Sequence, residues 1–115
     1  MPEPAEKRAS LRTHAKLPFL YRPKASVPVK SGVGWTHNLG EEGACLVLPN
    51  RLEEASGLRL VFQTDRGALE LSAVVIWRSM VRQRGESILH GVTFSELNPD
   101  QQQALRELLR SEGPD

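Results

Sequence analysis

The chain has 115 residues, enough for one domain around one core, with 39% hydrophobic and 25% charged side chains and a net charge of +1. That balance excludes wholesale disorder, and no apolar run approaches the roughly 20 residues needed to cross a bilayer as a helix. Cys45 has no second cysteine to pair with, and it falls at no metal-ligand spacing with His14, His37 or His90.

Residues 1–16 show no sustained hydrophobic period and contain Pro2 and Pro4, which predicts a mobile arm. Met1 to Arg12 lack the apolar stretch of a secretory signal, so a cytoplasmic location is expected. Charge is uneven: residues 1–30 carry seven basic and two acidic side chains, and residues 31–97 carry six basic and eight acidic ones. A basic arm on a mildly acidic body fits an anionic partner as well as it fits a solvated tail.

Residues 17–97 alternate with a period of two, the mark of half-buried strands. Leu17, Phe19 and Tyr21 share a face. So do Val33, Trp35, His37 and Leu39. Residues Ala44 to Leu48 are nearly continuously apolar. Leu58, Leu60 and Phe62 alternate with polar neighbours, as do Leu69, Leu71, Ala73, Val75 and Trp77, and then Ile88, Val92 and Phe94. Turn residues separate these runs, and Asp65-Arg66-Gly67 predicts a tight hairpin with Gly67 at positive φ. Six or so short strands predict an antiparallel barrel or sandwich, of which a barrel would leave no exposed edge. On these periods Trp35, Cys45 and Trp77 are core residues, and His37 is buried or at a rim. The Glu41-Glu42 pair points to solvent, and Arg78, Arg82 and Arg84 form a solvated hairpin tip, with a contact to a ligand or a partner protein as the alternative.

From residue 98 the period becomes helical. Asn98 fits an N-cap, Pro99 the first helical position, and Gln101 the reciprocal partner of a capping box. Ala104, Leu105, Leu108 and Leu109 then form one apolar stripe over a helix spanning 98–111 that packs on the barrel.

Two segments have the residue types for ligand binding. Arg8 and Arg12 lie four apart on the arm, preceded by Lys7. Asn38-Leu39-Gly40-Glu41-Glu42-Gly43 follows a strand and precedes the apolar run to Leu48. An arginine fork grips phosphate oxygens or the O6/N7 edge of guanine, and its flat face stacks on a base. The Asn38 side-chain oxygen is a hydrogen-bond acceptor, and glycines let backbone approach a ligand closely. No nucleophile with a neighbouring base and no carboxylate pair in a cleft is legible, so an enzyme is not expected.

In order and spacing these segments resemble the PilZ family, with its RxxxR followed by [D/N]xSxxG. Val74-Val75-Ile76-Trp77 is similar to the family's valine-rich strand ending in Trp, and His90-Gly91-Val92-Thr93-Phe94 to its closing strand. The resemblance covers residues 7–110. It implies an all-β-dominated fold, a six-stranded antiparallel PilZ-type barrel with a C-terminal α-helix. It implies binding of cyclic di-GMP without other cofactors, with the arm ordering as a switch and a downstream protein receiving the signal. The implied ligand residues are Arg8, Arg12, Asn38, Gly40 and Gly43, with Lys7 and Trp77 as further candidates. Trp77 stacking on a guanine is the alternative to its core role. A long basic residue at Lys7 goes in this family with a stacked pair of ligand molecules rather than one.

Gly40 departs from the family pattern, because it stands where the family has Ser. A lost hydrogen bond to a polar ligand is worth roughly 0.5–1.5 kcal/mol net, so about a tenfold lower affinity follows. A PilZ adaptor that no longer binds the nucleotide and acts through protein contacts is therefore the alternative. A polymeric nucleic-acid binder is disfavoured by the 5% aromatic content and near-zero net charge.

Overall fold

A computed structural model describes residues 11–24, 31–79 and 88–112. Lys7, Arg8, Arg82, Arg84 and the Arg84-Gly85-Glu86 turn lie outside the described residues. The strands are β1 (Arg12–Thr13), β2 (Pro18–Lys24), β3 (Gly32–Gly40), β4 (Gly43–Leu48), β5 (Gly57–Thr64), β6 (Gly67–Arg78) and β7 (Ile88–Phe94), followed by helix α1 (Pro99–Glu112).

All pairings are antiparallel, and their order β3-β2-β5-β6-β7-β4 closes through β3–β4 into a six-stranded barrel. β1 is an extra strand. It pairs with the Leu39–Gly40 end of β3, while β2 pairs with the Gly32–Trp35 part. Two short segments thus share one edge of β3. The break between them is bridged by Thr36, whose N–H donates to the Leu17 carbonyl at 2.9 Å and whose hydroxyl donates to the Ala15 carbonyl at 2.8 Å. The same hydroxyl accepts the Leu17 N–H at 2.9 Å.

Strict alternation holds along β2, β5 and most of β6. Phe19, Tyr21, Leu58, Leu60, Phe62, Leu69, Leu71, Ala73 and Val75 all reach the core, joined by Leu46 and Leu48 of β4. Burying a leucine or phenylalanine fully contributes roughly 1.5–3 kcal/mol each. The β5–β6 hairpin turns at Asp65-Arg66, with Gly67 at φ +114°, where a side chain would be strained. Helix α1 packs Leu105, Leu108 and Leu109 onto this core. Its start is a capping box: Gln101 N–H donates to Asn98 Oδ1 at 2.7 Å, and Asn98 N–H donates to Gln101 Oε1 at 2.9 Å.

Two strands break the period, each at a β-bulge. In β3 the register shifts between Thr36 and Asn38, and in β6 between Val75 and Trp77. A bulge inserts one residue, so two neighbours face the same side. Two expectations are corrected here. Trp35 is 41% exposed on the outer face, with Lys16 Nζ 5.0 Å from its ring centroid, and Leu39 turns inward after the bulge. Trp77 is 43% exposed and lies outside the barrel beside Ile76, not in the core. His37, the bulged residue of β3, is exposed as well.

Arg78 is also not a solvated tip residue. Its side chain is 19% exposed, and Nη1 lies 3.3 Å from the Leu52 carbonyl and 3.7 Å from Glu53 Oε1. His90 completes that clamp on the β4–β5 connection. Its fully buried ring accepts the Leu52 N–H at Nε2, 3.0 Å away.

Candidate ligand site on the outer face of the barrel

The two bulges set up the site. Each places the residue after it on the outer face: Asn38 from β3 and Trp77 from β6. Between these strands in the barrel lie β4 and β7, whose segments Gly43–Cys45 and Gly91–Thr93 pair with each other. The four strands floor a depression of about 340 Å³, lined among others by Arg12, Asn38, Gly43, Cys45, Trp77 and Gly91.

Arg12 reaches this surface from β1. Its Nη1 donates to Asn38 Oδ1 at 2.6 Å, a charge-assisted contact. The guanidinium lies close over Gly40: a Cβ there would sit 2.8 Å from Arg12 Nη2. Gly43 is fixed by the backbone of β7, since any Cβ would overlap the Val92 carbonyl oxygen. Gly91 has a similar constraint, because a Cβ would overlap the Trp77 indole. The absence of a side chain at Gly91 thus lets the ring lie against β7.

Cys45 alternates away from Leu46 and Leu48. It is buried on the outer side beneath the site and not inside the barrel, and burial raises its thiol pKa. Of the residues expected at the site, the structure brings together Arg12, Asn38, Gly40, Gly43 and Trp77. Lys7 and Arg8 fall outside the described residues.

The acidic pair divides. Glu42 is exposed and lines the depression at its rim. Glu41 does not point to solvent, and that expectation is corrected. Its side chain is 17% exposed, with Oε2 accepting the Leu11 N–H at 2.7 Å and Oε1 accepting Arg106 Nε at 3.0 Å. Burial by itself raises this carboxyl's pKa. The Leu11 N–H, the Arg106 guanidinium and the charge of Arg110 outweigh it and hold the carboxyl below its ordinary value. Local sequence gives no signal for this contact, because Leu11 and Arg106 lie far from Glu41 along the chain.

Among the described residues no cluster of His, Cys, Asp or Glu is arranged to hold a metal, and no helix is long and apolar enough to cross a membrane.

The chain matches the PilZ domain over residues 6–111, nearly its whole length. It belongs to the PilZ family. PilZ domains are binding domains of receptors and adaptors and are generally non-enzymatic. No curated protein sequence matches this chain.

Solved structures of PilZ proteins share the fold. The inhibitor of motility MotI/DgrA from Bacillus subtilis superposes with a TM-score of 0.68 at 22% identity, covering 95% of this chain and 55% of the MotI chain. The PilZ domain of YcgR from Escherichia coli, solved with c-di-GMP, gives a TM-score of 0.68 at 18% identity, covering 91% and 90%. The PilZ domain of CeSA from a cellulose-synthesizing bacterium gives 0.62 at 19%, covering 87% and 95%. This chain therefore spans just over half the length of MotI and nearly all of the isolated PilZ domains.

Proposed function

We propose that this PilZ domain is a non-enzymatic cytoplasmic receptor for cyclic di-GMP, with the ligand bound in the outer-face depression between the arm and Trp77. The observation that carries this reading is the meeting of the two motifs: Arg12 of RxxxR donates to Asn38 of the second motif at 2.6 Å. This puts a cation and an acceptor for a guanine edge side by side, with an exposed indole on the same surface. In the proposed complex Arg12 takes a phosphate or the guanine O6/N7 edge, and Asn38 accepts from the guanine N–H groups. Asn38 Oδ1 has two lone pairs, so it serves Arg12 and the base together. Gly40 and Gly43 let the backbone approach the ligand, and Trp77 offers a stacking face worth about 1–3 kcal/mol per base. Arg8 closes on the ligand from the arm, and Lys7 favours a stacked pair of ligand molecules. Ordering of the N-terminal arm is the switch that a downstream protein reads. The neighbour YcgR, solved with c-di-GMP, supports the same ligand class.

Isothermal titration with cyclic di-GMP tests this reading. Micromolar or tighter binding is expected, weakened by Arg8→Ala, Arg12→Ala and Asn38→Ala. Absence of binding by the wild-type chain refutes it. A second reading, an adaptor without nucleotide binding, is favoured by Gly40, which lacks the family's hydroxyl and leaves Arg12 resting in its place. Partner binding retained by an Arg8/Arg12 double variant would select that reading.

A further inference from the structure

Glu41 lies inside the second motif at a position where the family pattern asks for no particular residue. The β1–β3 ladder ends at the Arg12–Gly40 pair, because β3 ends there and the chain turns through Glu41-Glu42 into β4. Leu11, the next residue of the arm, has run past the last backbone partner that β3 offers. The Glu41 side chain takes over: Oε2 accepts the Leu11 N–H at 2.7 Å. The other oxygen of the same carboxylate accepts Arg106 Nε of α1 at 3.0 Å. A single carboxylate therefore ties the arm, the motif loop and the C-terminal helix together, and the helix also packs against β1.

We propose that Glu41 is a positioning residue of the ligand site: with Arg106 it fixes the arm where Arg12 reaches Asn38, and it couples ligand binding to the seating of α1. This rests on the cyclic di-GMP reading above. Its contribution has two parts. Geometrically, Arg12 is held by its own pairing with Gly40 and by the anchored peptide before it, so less freedom is lost when its guanidinium engages a ligand. Electrostatically, Arg106 neutralises a carboxylate that would otherwise repel phosphates brought to Arg12. Because coupling is reciprocal, whatever seats α1 more firmly through Arg106 also favours ligand, and ligand favours the seated helix.

The test uses the full chain, with cyclic di-GMP titrated by calorimetry, the Leu11 amide followed by hydrogen exchange, and melting followed by circular dichroism. Glu41→Ala and Arg106→Gln are each expected to weaken binding by about fivefold to tenfold, with the double variant no worse than the stronger single one. Leu11 exchange is expected to accelerate in both. Arg106→Lys should recover part of the affinity, and Glu107→Gln, which alters a neighbouring charge on the same helix that pairs with Arg66, should leave affinity and Leu11 exchange unchanged. A purely structural role would lower the melting temperature and leave the affinity of the folded protein intact. Wild-type binding with unchanged Kd in Glu41→Ala and Arg106→Gln, or unchanged Leu11 exchange, overturns the inference and leaves the ligand reading standing. Absence of wild-type binding overturns both.

Discussion

His90 gives the barrel a stability that depends on pH, and the sign follows from its hydrogen bonds. The ring is fully buried, and Nε2 accepts the Leu52 N–H at 3.0 Å. The ring proton therefore sits on Nδ1, 3.2 Å from the Ile88 carbonyl. A second proton would set an N–H against the Leu52 N–H and leave a cation in the interior. Burial is the largest cause lowering the pKa of His90. The Ile88 carbonyl opposes it in part, and the charges of Arg78 and Arg51 add to it. In the unfolded chain His titrates near about 6.5. Above that pH both states are neutral and the contribution is complete. As pH falls below it, the unfolded chain takes up a proton that the folded ring refuses, so stability is lost until the lower folded pKa is reached. One proton corresponds to a loss of about 1.4 kcal/mol per pH unit across that window. Urea unfolding at about pH 8, 6.5 and 5.5 measures it, with His90→Gln as the reference, since Gln can accept the Leu52 N–H without titrating. The wild type should lose up to about 1 kcal/mol more than the variant between about pH 6.5 and 5.5, because the unfolded chain is already half protonated at the upper end. Parallel pH profiles for the two proteins would refute the reasoning, because His14, His37 and the carboxylates are common to both.

Two further sites probe the outer face. Gly40→Ser and Gly40→Ala both place a Cβ 2.8 Å from Arg12 Nη2 and push the guanidinium aside. Only the serine substitution adds a hydroxyl, so the Gly40→Ser variant should bind cyclic di-GMP about threefold to tenfold more tightly than the Gly40→Ala variant in calorimetry; equal affinities would mean that the hydroxyl is not used. Gly91→Ala forces the Trp77 indole off β7, so the protein should stay folded, lose about 1–3 kcal/mol of stability, and show altered tryptophan emission. Unchanged emission would mean that the ring does not rest on Gly91.

Features that depend only on near neighbours along the chain are legible before any folding is considered. The alternation Leu58, Leu60, Phe62 states which face of β5 is buried, because side chains of a strand alternate whatever it packs against. Gly67 marks its turn, and Asn98 with Gln101 marks the helix start, because both are settled within four residues. The order of Arg12, Asn38 and Gly43 pointed to one surface through family resemblance. Where the two tryptophans lie depends on strand pairing. Trp35 and Trp77 obey the period of two on paper, but bulges at His37 and Ile76 shift the register, and a bulge is set by pairing with a partner strand. The role of Glu41 likewise depends on the folded barrel, because its partners Leu11 and Arg106 are 30 and 65 residues away. Local periodicity records which way a side chain faces along an ideal strand; which groups meet across the barrel wall is fixed only when the strands close on one another.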